Sequence, residues 1–178
     1  MKISILVILG TGRKGSQSEK VAHAVYDILK NRKGISASIL DVKKFPVTFT
    51  VPPWQENREG KKLRLILRAA DAYFLIMPEY NRGYPGELKL LFDRSKNEFK
   101  NKPILICGVS SGSFGGSRAV ENFIPVLTYL EMKIIMPILY FPNAKNAFTN
   151  GGSFADKTIL PKIEKTIGSL QKKIQSVI

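Results

Sequence analysis

The sequence predicts a doubly wound α/β fold, in which helices cover both faces of a parallel sheet. Five short apolar runs alternate along the chain with five stretches of helical periodicity. Two of the runs, residues 3–9 and 72–77, are apolar almost throughout, which is typical of central strands covered on both faces. Loops rich in Gly, Pro and Ser follow several strands, at the sheet edge where open α/β sheets bind ligands.

The first half of the chain contains three of the predicted strands. Residues 3–9 form the first strand, and a helix over about 19–30 presents Val21, Ala22, Val25, Ile28 and Leu29 on one face. Residues 35–40 alternate polar and apolar side chains, which indicates a strand nearer the sheet edge. A proline-rich loop over residues 42–56 and a helix over about 57–70 precede the third strand, residues 72–77.

The second half continues the alternation. A helix starts after Pro85 and Gly86 and is predicted to extend to about residue 97. The fourth strand, residues 104–109, precedes a helix that Ser117 caps and Pro125 kinks. The fifth strand covers residues 133–139 and the last helix about 156–177. Because the second strand alternates like an edge, we predict one flavodoxin-like domain, residues 1–178, with strand order 2-1-3-4-5.

The composition narrows the classes of protein to consider. Of the 178 residues, 44% are apolar and 24% charged, which is ordinary for a soluble domain. No apolar run approaches the ~18 residues of a membrane span, so no membrane partner is expected. The single cysteine, Cys107, excludes an internal disulfide and a cysteine-held metal cluster, and favours a cytoplasmic protein without metal. The net charge of +14 is spread over helix faces, so no nucleic-acid partner is expected.

The loop after the first strand, residues 10–18, has the composition of a phosphate site. Its three glycines leave backbone N–H groups free to donate, and the N-terminus of a predicted helix lies behind them. Arg13 adds a guanidinium, and hydroxyls come from Thr11, Ser16 and Ser18. A ligand-free turn is one alternative. Another is a dinucleotide site, because residues 10–15 read G-x-G-x-x-G and Asp41 ends the second strand, where it would hold a ribose.

Two further loops are expected beside the first, because the first, third and fourth strands are adjacent in the predicted order. Residues 78–84 offer the Tyr80 ring, and Glu79 and Asn81 as hydrogen-bonding partners for a heterocycle edge. Residues 110–116 offer serine hydroxyls and allow close backbone approach at glycines. No nucleophile–base set can be assembled, and His23, the single histidine, is interpreted as structural.

Three segments carry a resemblance to a known family: Gly10-Thr11-x-Arg13-x-x-Ser16, Pro78-Glu79-Tyr80-Asn81-x-Gly83-x-Pro85-Gly86-x-Leu88-Lys89 and Gly112-x-x-Gly115-Gly116-x-Arg118. They resemble the signatures of the NADPH-dependent FMN reductase family, which contains flavodoxin-like quinone, chromate and azo reductases. The similarity extends over essentially the whole chain.

The resemblance implies an enzyme in which NADPH or NADH passes electrons through FMN to a flavin, quinone or similar small acceptor in ping-pong order. It implies that the FMN phosphate is held by Thr11, Arg13, Ser16 and Ser18. The ring would lie along Pro78, Glu79, Tyr80 and Asn81, with Ser110, Ser111 and Gly112 on its other side. Arg82 and Tyr84 are predicted to line the acceptor site. Members are usually homodimers or homotetramers.

The chain departs from the family pattern at two places. Ser18 stands where the family commonly has Asn, and the run Leu90-Leu91-Phe92-Asp93-Arg94 replaces Asn-Ala-apolar-Asp-Trp. Two other classes of function stay open from the residues alone. One is a Rossmann-type NAD(P)-binding protein without flavin, and the other is a non-enzymatic flavin- or nucleic-acid-binding module.

Overall fold

The computed structural model describes residues 2–46, 48–55 and 57–175, except the side chain of Gln175. Its strands are β1 (Ile3–Leu9), β2 (Ile35–Asp41), β3 (Ala72–Pro78), β4 (Pro103–Val109), β5 (Lys133–Ile134) and β6 (Leu139–Phe141). They form one parallel sheet of order β2-β1-β3-β4-β5, in which β6 also pairs with β4. The predicted strand order is therefore confirmed, and the alternating strand β2 lies at an edge.

Helices lie on both faces of this sheet. They are α1 (Gln17–Lys30), α2 (Arg58–Ala69), α3 (Gly86–Phe92), α4 (Ser117–Tyr129) and α5 (Ile159–Gln175). One apolar cluster packs α1 and α5 on the first face, and a second packs α2, α3 and α4 on the other. Side chains of β1 alternate between the two clusters, which explains why residues 5–9 of this strand are all apolar. Within the described ranges, no helix is long and apolar enough to cross a membrane.

The register of the central strands places three loops side by side. Leu9 of β1 is opposite Ile76 of β3, and Pro78 at the end of β3 is opposite Val109 at the end of β4. Because these strands are parallel and adjacent, the loops that follow them leave from the same edge of the sheet.

The fifth strand differs from the prediction of one continuous segment over residues 133–139. The structure has two short strands, β5 and β6, which pair with different parts of β4. Pro137 lies between them and has no N–H to donate to a ladder. Pro137 therefore explains why the strand is interrupted, although the run of apolar residues predicts a continuous strand.

Four helix boundaries also differ from the prediction. α1 begins at Gln17, two residues early, because the Ser16 hydroxyl caps it by accepting from the Glu19 N–H at 3.2 Å. The cap of α4 is Gly116, not Ser117. α3 ends at Phe92, five residues early, in tight turns that direct Arg94 and Ser95 inward. α5 begins at Ile159, which places Pro161 in its first turn, and residues 176–177 of that prediction lie outside the described residues.

Candidate functional site

The loop between β1 and α1 is held by a buried threonine. The Thr11 side chain is fully buried, and its Oγ1 lies 2.9 Å from the Tyr80 hydroxyl and 3.1 Å from Glu87 Oε1. The Arg13 N–H donates to the same oxygen at 3.2 Å. The loop therefore turns its threonine inward, whereas the Arg13 side chain is exposed.

The start of α1 offers donors that the protein itself does not use. Among the described residues, no acceptor takes the N–H groups of Gln17 and Ser18 in the first turn. Ser16 and Ser18 are buried beside them, and the Gln17 Oε1 atom is buried without a partner. A helix N-terminus with free N–H groups and a nearby arginine suits a phosphate.

The loop after β3 contains a tight hairpin turn. Tyr80 and Gly83 exchange two backbone hydrogen bonds of 2.9 Å, and Asn81 and Arg82 between them have positive φ angles of 48° and 63°. This conformation costs an arginine about 1–2 kcal/mol. The Asn122 side chain of α4 donates to the Arg82 carbonyl at 2.9 Å and secures the turn. Such strain at the edge of a sheet is typical of functional loops.

The backbone of the loop after β4 is hydrogen-bonded to the last residue of β6 and to the segment that follows it. The Ser110 N–H donates to the Phe141 carbonyl at 3.1 Å, and the Ala144 N–H donates to the Ser110 carbonyl at 2.9 Å. The Gly112 carbonyl accepts from the Asn143 N–H at 3.1 Å. These bonds hold the backbone of residues 110–112 in place, while Ser111 and Gly112 remain exposed.

The three loops meet in one place, as the strand order predicts. The contact between Thr11 and Tyr80 joins the first two loops, and the Glu79 N–H donates to the Val109 carbonyl at 3.0 Å, which joins the second loop to the end of β4, where the third loop begins. Among the described residues, Glu79 Oε2 is buried without a hydrogen-bond partner. Because buried polar atoms in native proteins are usually bonded, the free N–H donors of Gln17 and Ser18 suit a phosphate, and an acceptor such as Glu79 Oε2 suits an N–H donor on the edge of a heterocycle.

Some residues singled out in the sequence lie elsewhere or have other partners. Tyr84 packs edge-to-face on Phe123 of α4, with ring centroids 4.9 Å apart, and is only partly exposed. The Asp41 carboxylate accepts from the Lys43 N–H at 2.9 Å and so caps its own turn. His23 is exposed on α1, away from the core of that helix. Cys107 is buried, which raises the pKa of its thiol and keeps it unreactive.

Arg94, one of the departures from the family pattern, points into its own chain. The residue is 1% exposed, and its Nη1 donates to the Phe45 carbonyl at 3.3 Å, whereas Nε and Nη2 have no hydrogen-bond partner among the described residues. Burial lowers the pKa of this guanidinium below its ordinary value, and Glu59 opposes that shift. The arginine therefore links the loop after β2 to the segment that follows α3.

The fold is that of a flavodoxin-like protein, in which the loops after β1, β3 and β4 leave from one edge of the sheet. The sequence model of the NADPH-dependent FMN reductase family matches residues 3–146. The chain belongs to the NADPH-dependent FMN reductase family. It is therefore an oxidoreductase with FMN as its cofactor and NADPH or NADH as its reductant, which decides against the Rossmann alternative without flavin.

Individual proteins agree with this assignment. A quinone reductase of Pseudomonas putida is 30% identical over 166 residues, covering 87% of this chain and 86% of its own. An NAD(P)H-dependent FMN reductase of Pseudomonas aeruginosa is 28% identical, covering 95% and 94%. The solved structure of FerB, a flavoenzyme NAD(P)H:(acceptor) oxidoreductase of Paracoccus denitrificans, superposes with a TM-score of 0.82 at 24% identity, covering 96% and 98%. A flavodoxin of Pseudomonas aeruginosa has a TM-score of 0.61 at 18% identity, covering 96% and 99%.

Proposed function

We propose that the chain, as a single domain, transfers electrons from NADPH or NADH to a quinone, a flavin or a similar small acceptor, in ping-pong order. Bound FMN supplies the electron-carrying chemistry, and the protein supplies binding, orientation and exclusion of water. The observation that supports the proposal is that three strand-end loops lie together and contain buried polar atoms without hydrogen-bond partners among the described residues. Thr11 Oγ1 of the first loop lies 2.9 Å from the Tyr80 hydroxyl of the second.

The assignment of residues to the cofactor follows the chemistry of each loop. For the phosphate we propose the buried hydroxyls of Ser16 and Ser18, the exposed guanidinium of Arg13 and the free N–H groups at the start of α1. Thr11 holds the phosphate-binding loop in place from its buried side, because its Oγ1 atom already has three protein partners. The ring edge is assigned to the loops after β3 and β4, through Pro78, Glu79, Tyr80, Asn81, Ser110, Ser111 and Gly112.

The mouth of the site is proposed to receive the nicotinamide and the acceptor in turn. Arg82 is exposed at the tip of its hairpin, where its charge can attract an anionic substrate, and the exposed edge of Tyr84 lines the same side. Because one mouth serves both substrates, the oxidised nicotinamide must leave before the acceptor enters. The quinone reductase names of several relatives support quinones as the acceptor class.

Steady-state kinetics test this proposal. With FMN-loaded protein, NADPH oxidation is expected to require 1,4-benzoquinone or riboflavin, and double-reciprocal plots at several fixed acceptor concentrations are expected to be parallel. Protein stripped of FMN is the control and should be inactive until FMN is restored. Intersecting lines would contradict the ping-pong order. Loaded protein that oxidises neither NADPH nor NADH with either acceptor would contradict the function.

We also propose that the protein is a homodimer or homotetramer. Trp54 and Tyr129 are 82% and 69% exposed and line an apolar groove beside Phe92 and Pro125, which is unusual for a surface that faces only water. Sedimentation equilibrium would give the mass of the assembly, and a monomer at micromolar concentration would contradict the proposal. Cytoplasmic localisation stays a prediction from the sequence.

A further inference from the structure

A glutamate outside the predicted site reaches into the phosphate loop. Glu87 stands in the first turn of α3, and its Oε1 accepts the Gly12 N–H at 2.8 Å and the Thr11 hydroxyl at 3.1 Å. The Gly12 N–H, which the loop composition assigns to a phosphate, is therefore already bonded to a side chain that lies 75 residues further along the chain.

The carboxylate also sets the direction of a chain of hydrogen bonds. A threonine hydroxyl has one proton, and an ionised carboxylate only accepts, so the Thr11 proton is directed to Glu87. The Tyr80 hydroxyl, 2.9 Å from Thr11 Oγ1, must then donate to that oxygen. One carboxylate thus fixes the first loop, the second loop and α3 relative to one another.

The charge of Glu87 is not used in an ion pair within the part of the chain that the structure describes. Lys43, which lines the same pocket as Glu87, has its Nζ 3.7 Å from Glu19 Oε1 and 3.6 Å from Asp41 Oδ2 instead. The role of Glu87 therefore depends on the reach and the acceptor capacity of its side chain, not on neutralising a cation.

We propose that Glu87 is a positioning residue for FMN, an inference that rests on the FMN site proposed above. By holding Thr11 and Gly12 against α3, it keeps the loop open over the start of α1. Arg13 and the free N–H groups of Gln17 and Ser18 then face the phosphate without rearrangement. Such preorganisation raises affinity because the ligand does not have to order the loop.

The test compares side chains that differ in reach and in charge. Glu87→Gln keeps a carbonyl oxygen that can accept both hydrogen bonds, Glu87→Asp keeps the charge but is one methylene shorter, and Glu87→Ala removes both properties. Glu131→Ala removes an exposed carboxylate far from the loop and controls for net charge. Dissociation constants of FMN and riboflavin are measured on flavin-stripped protein by fluorescence quenching.

The alanine and aspartate variants are expected to bind FMN about 10-fold more weakly than the unmodified chain, and riboflavin within about 3-fold, because only FMN carries the phosphate. The glutamine variant and the Glu131 control are expected to match the unmodified chain within about 3-fold for both ligands. If the alanine variant does not fold, the aspartate and glutamine variants decide the question.

Three results would overturn the inference. FMN could bind the shortened variants as tightly as the unmodified chain, both ligands could weaken equally, or the glutamine variant could be as defective as the aspartate variant. A different result marks failure of the proposed function: the unmodified chain would then bind no FMN at all, and the inference would fall with it.

Discussion

Replacing Gly116 with alanine is expected to lower the free energy of unfolding by about 2–5 kcal/mol, the sum of a left-handed backbone penalty and overpacking. Gly116 has a φ of 84°, and a Cβ there would lie 2.7 Å from the Val109 backbone nitrogen and 3.1 Å from the Gly108 carbonyl carbon. Backbone atoms of a central strand cannot move aside as a flexible side chain can. Urea unfolding of the FMN-stripped protein measures this change.

The Gly34→Ala variant is a matched control for this substitution. Gly34 has a nearly identical φ of 82°, but apart from its own chain neighbours no atom of the described residues lies within 4 Å of a Cβ placed there. Its loss of stability should therefore be only the backbone penalty of about 1–2 kcal/mol. Equal losses in the two variants would show that close packing of the loop on β4 contributes nothing. Because this loop is proposed to form one side of the FMN site, the Gly116 variant should also bind FMN more weakly.

Replacing Arg13 with alanine is expected to weaken FMN binding by about 1.5–3 kcal/mol, the range for a hydrogen bond to a charged group. This corresponds to a dissociation constant about 10- to 150-fold higher. The side chain is exposed and, among the described residues, forms no ion pair, so the substitution should remove the proposed ligand contact without disturbing the fold. Fluorescence titration of flavin-stripped protein measures the effect.

Two comparisons make the Arg13 result specific. Lys20→Ala removes one positive charge from the exposed side of α1, so it controls for the long-range field of a chain whose net charge is +14. Riboflavin, which lacks the phosphate, should bind the Arg13 variant and the unmodified chain with similar affinity. An unchanged FMN dissociation constant in the Arg13 variant would remove this residue from the phosphate site.

The layout of the fold could be predicted because it is encoded locally. The almost continuous apolar residues of β1 and β3 and the alternating residues of β2 specify central and edge positions, and the structure confirms both. Details that depend on single residues were harder to predict. Pro137 divides the fifth strand, and the Ser16 cap starts α1 earlier than predicted. The spacing of apolar residues shows neither effect.

The convergence of the three loops was predictable, but the hydrogen bonds between them were not. The spacing of Gly, Ser, Tyr and Asn predicts which loops would bind a ligand, and strand order brings the loops together. Nothing in the spacing indicates that Glu87 reaches Gly12 or that the Thr11 oxygen faces inward, because those contacts depend on side-chain directions after folding. The buried position of Arg94 is likewise a tertiary result that local sequence does not encode.

The most direct test of the account is a titration of FMN into the flavin-stripped protein, followed by visible absorption and flavin fluorescence. We expect the purified protein to be yellow and, once stripped, to bind one FMN per chain with saturable quenching, because the loops after β1, β3 and β4 are proposed to form one complete site. A colourless preparation in which a large excess of FMN leaves both spectra unchanged would contradict it.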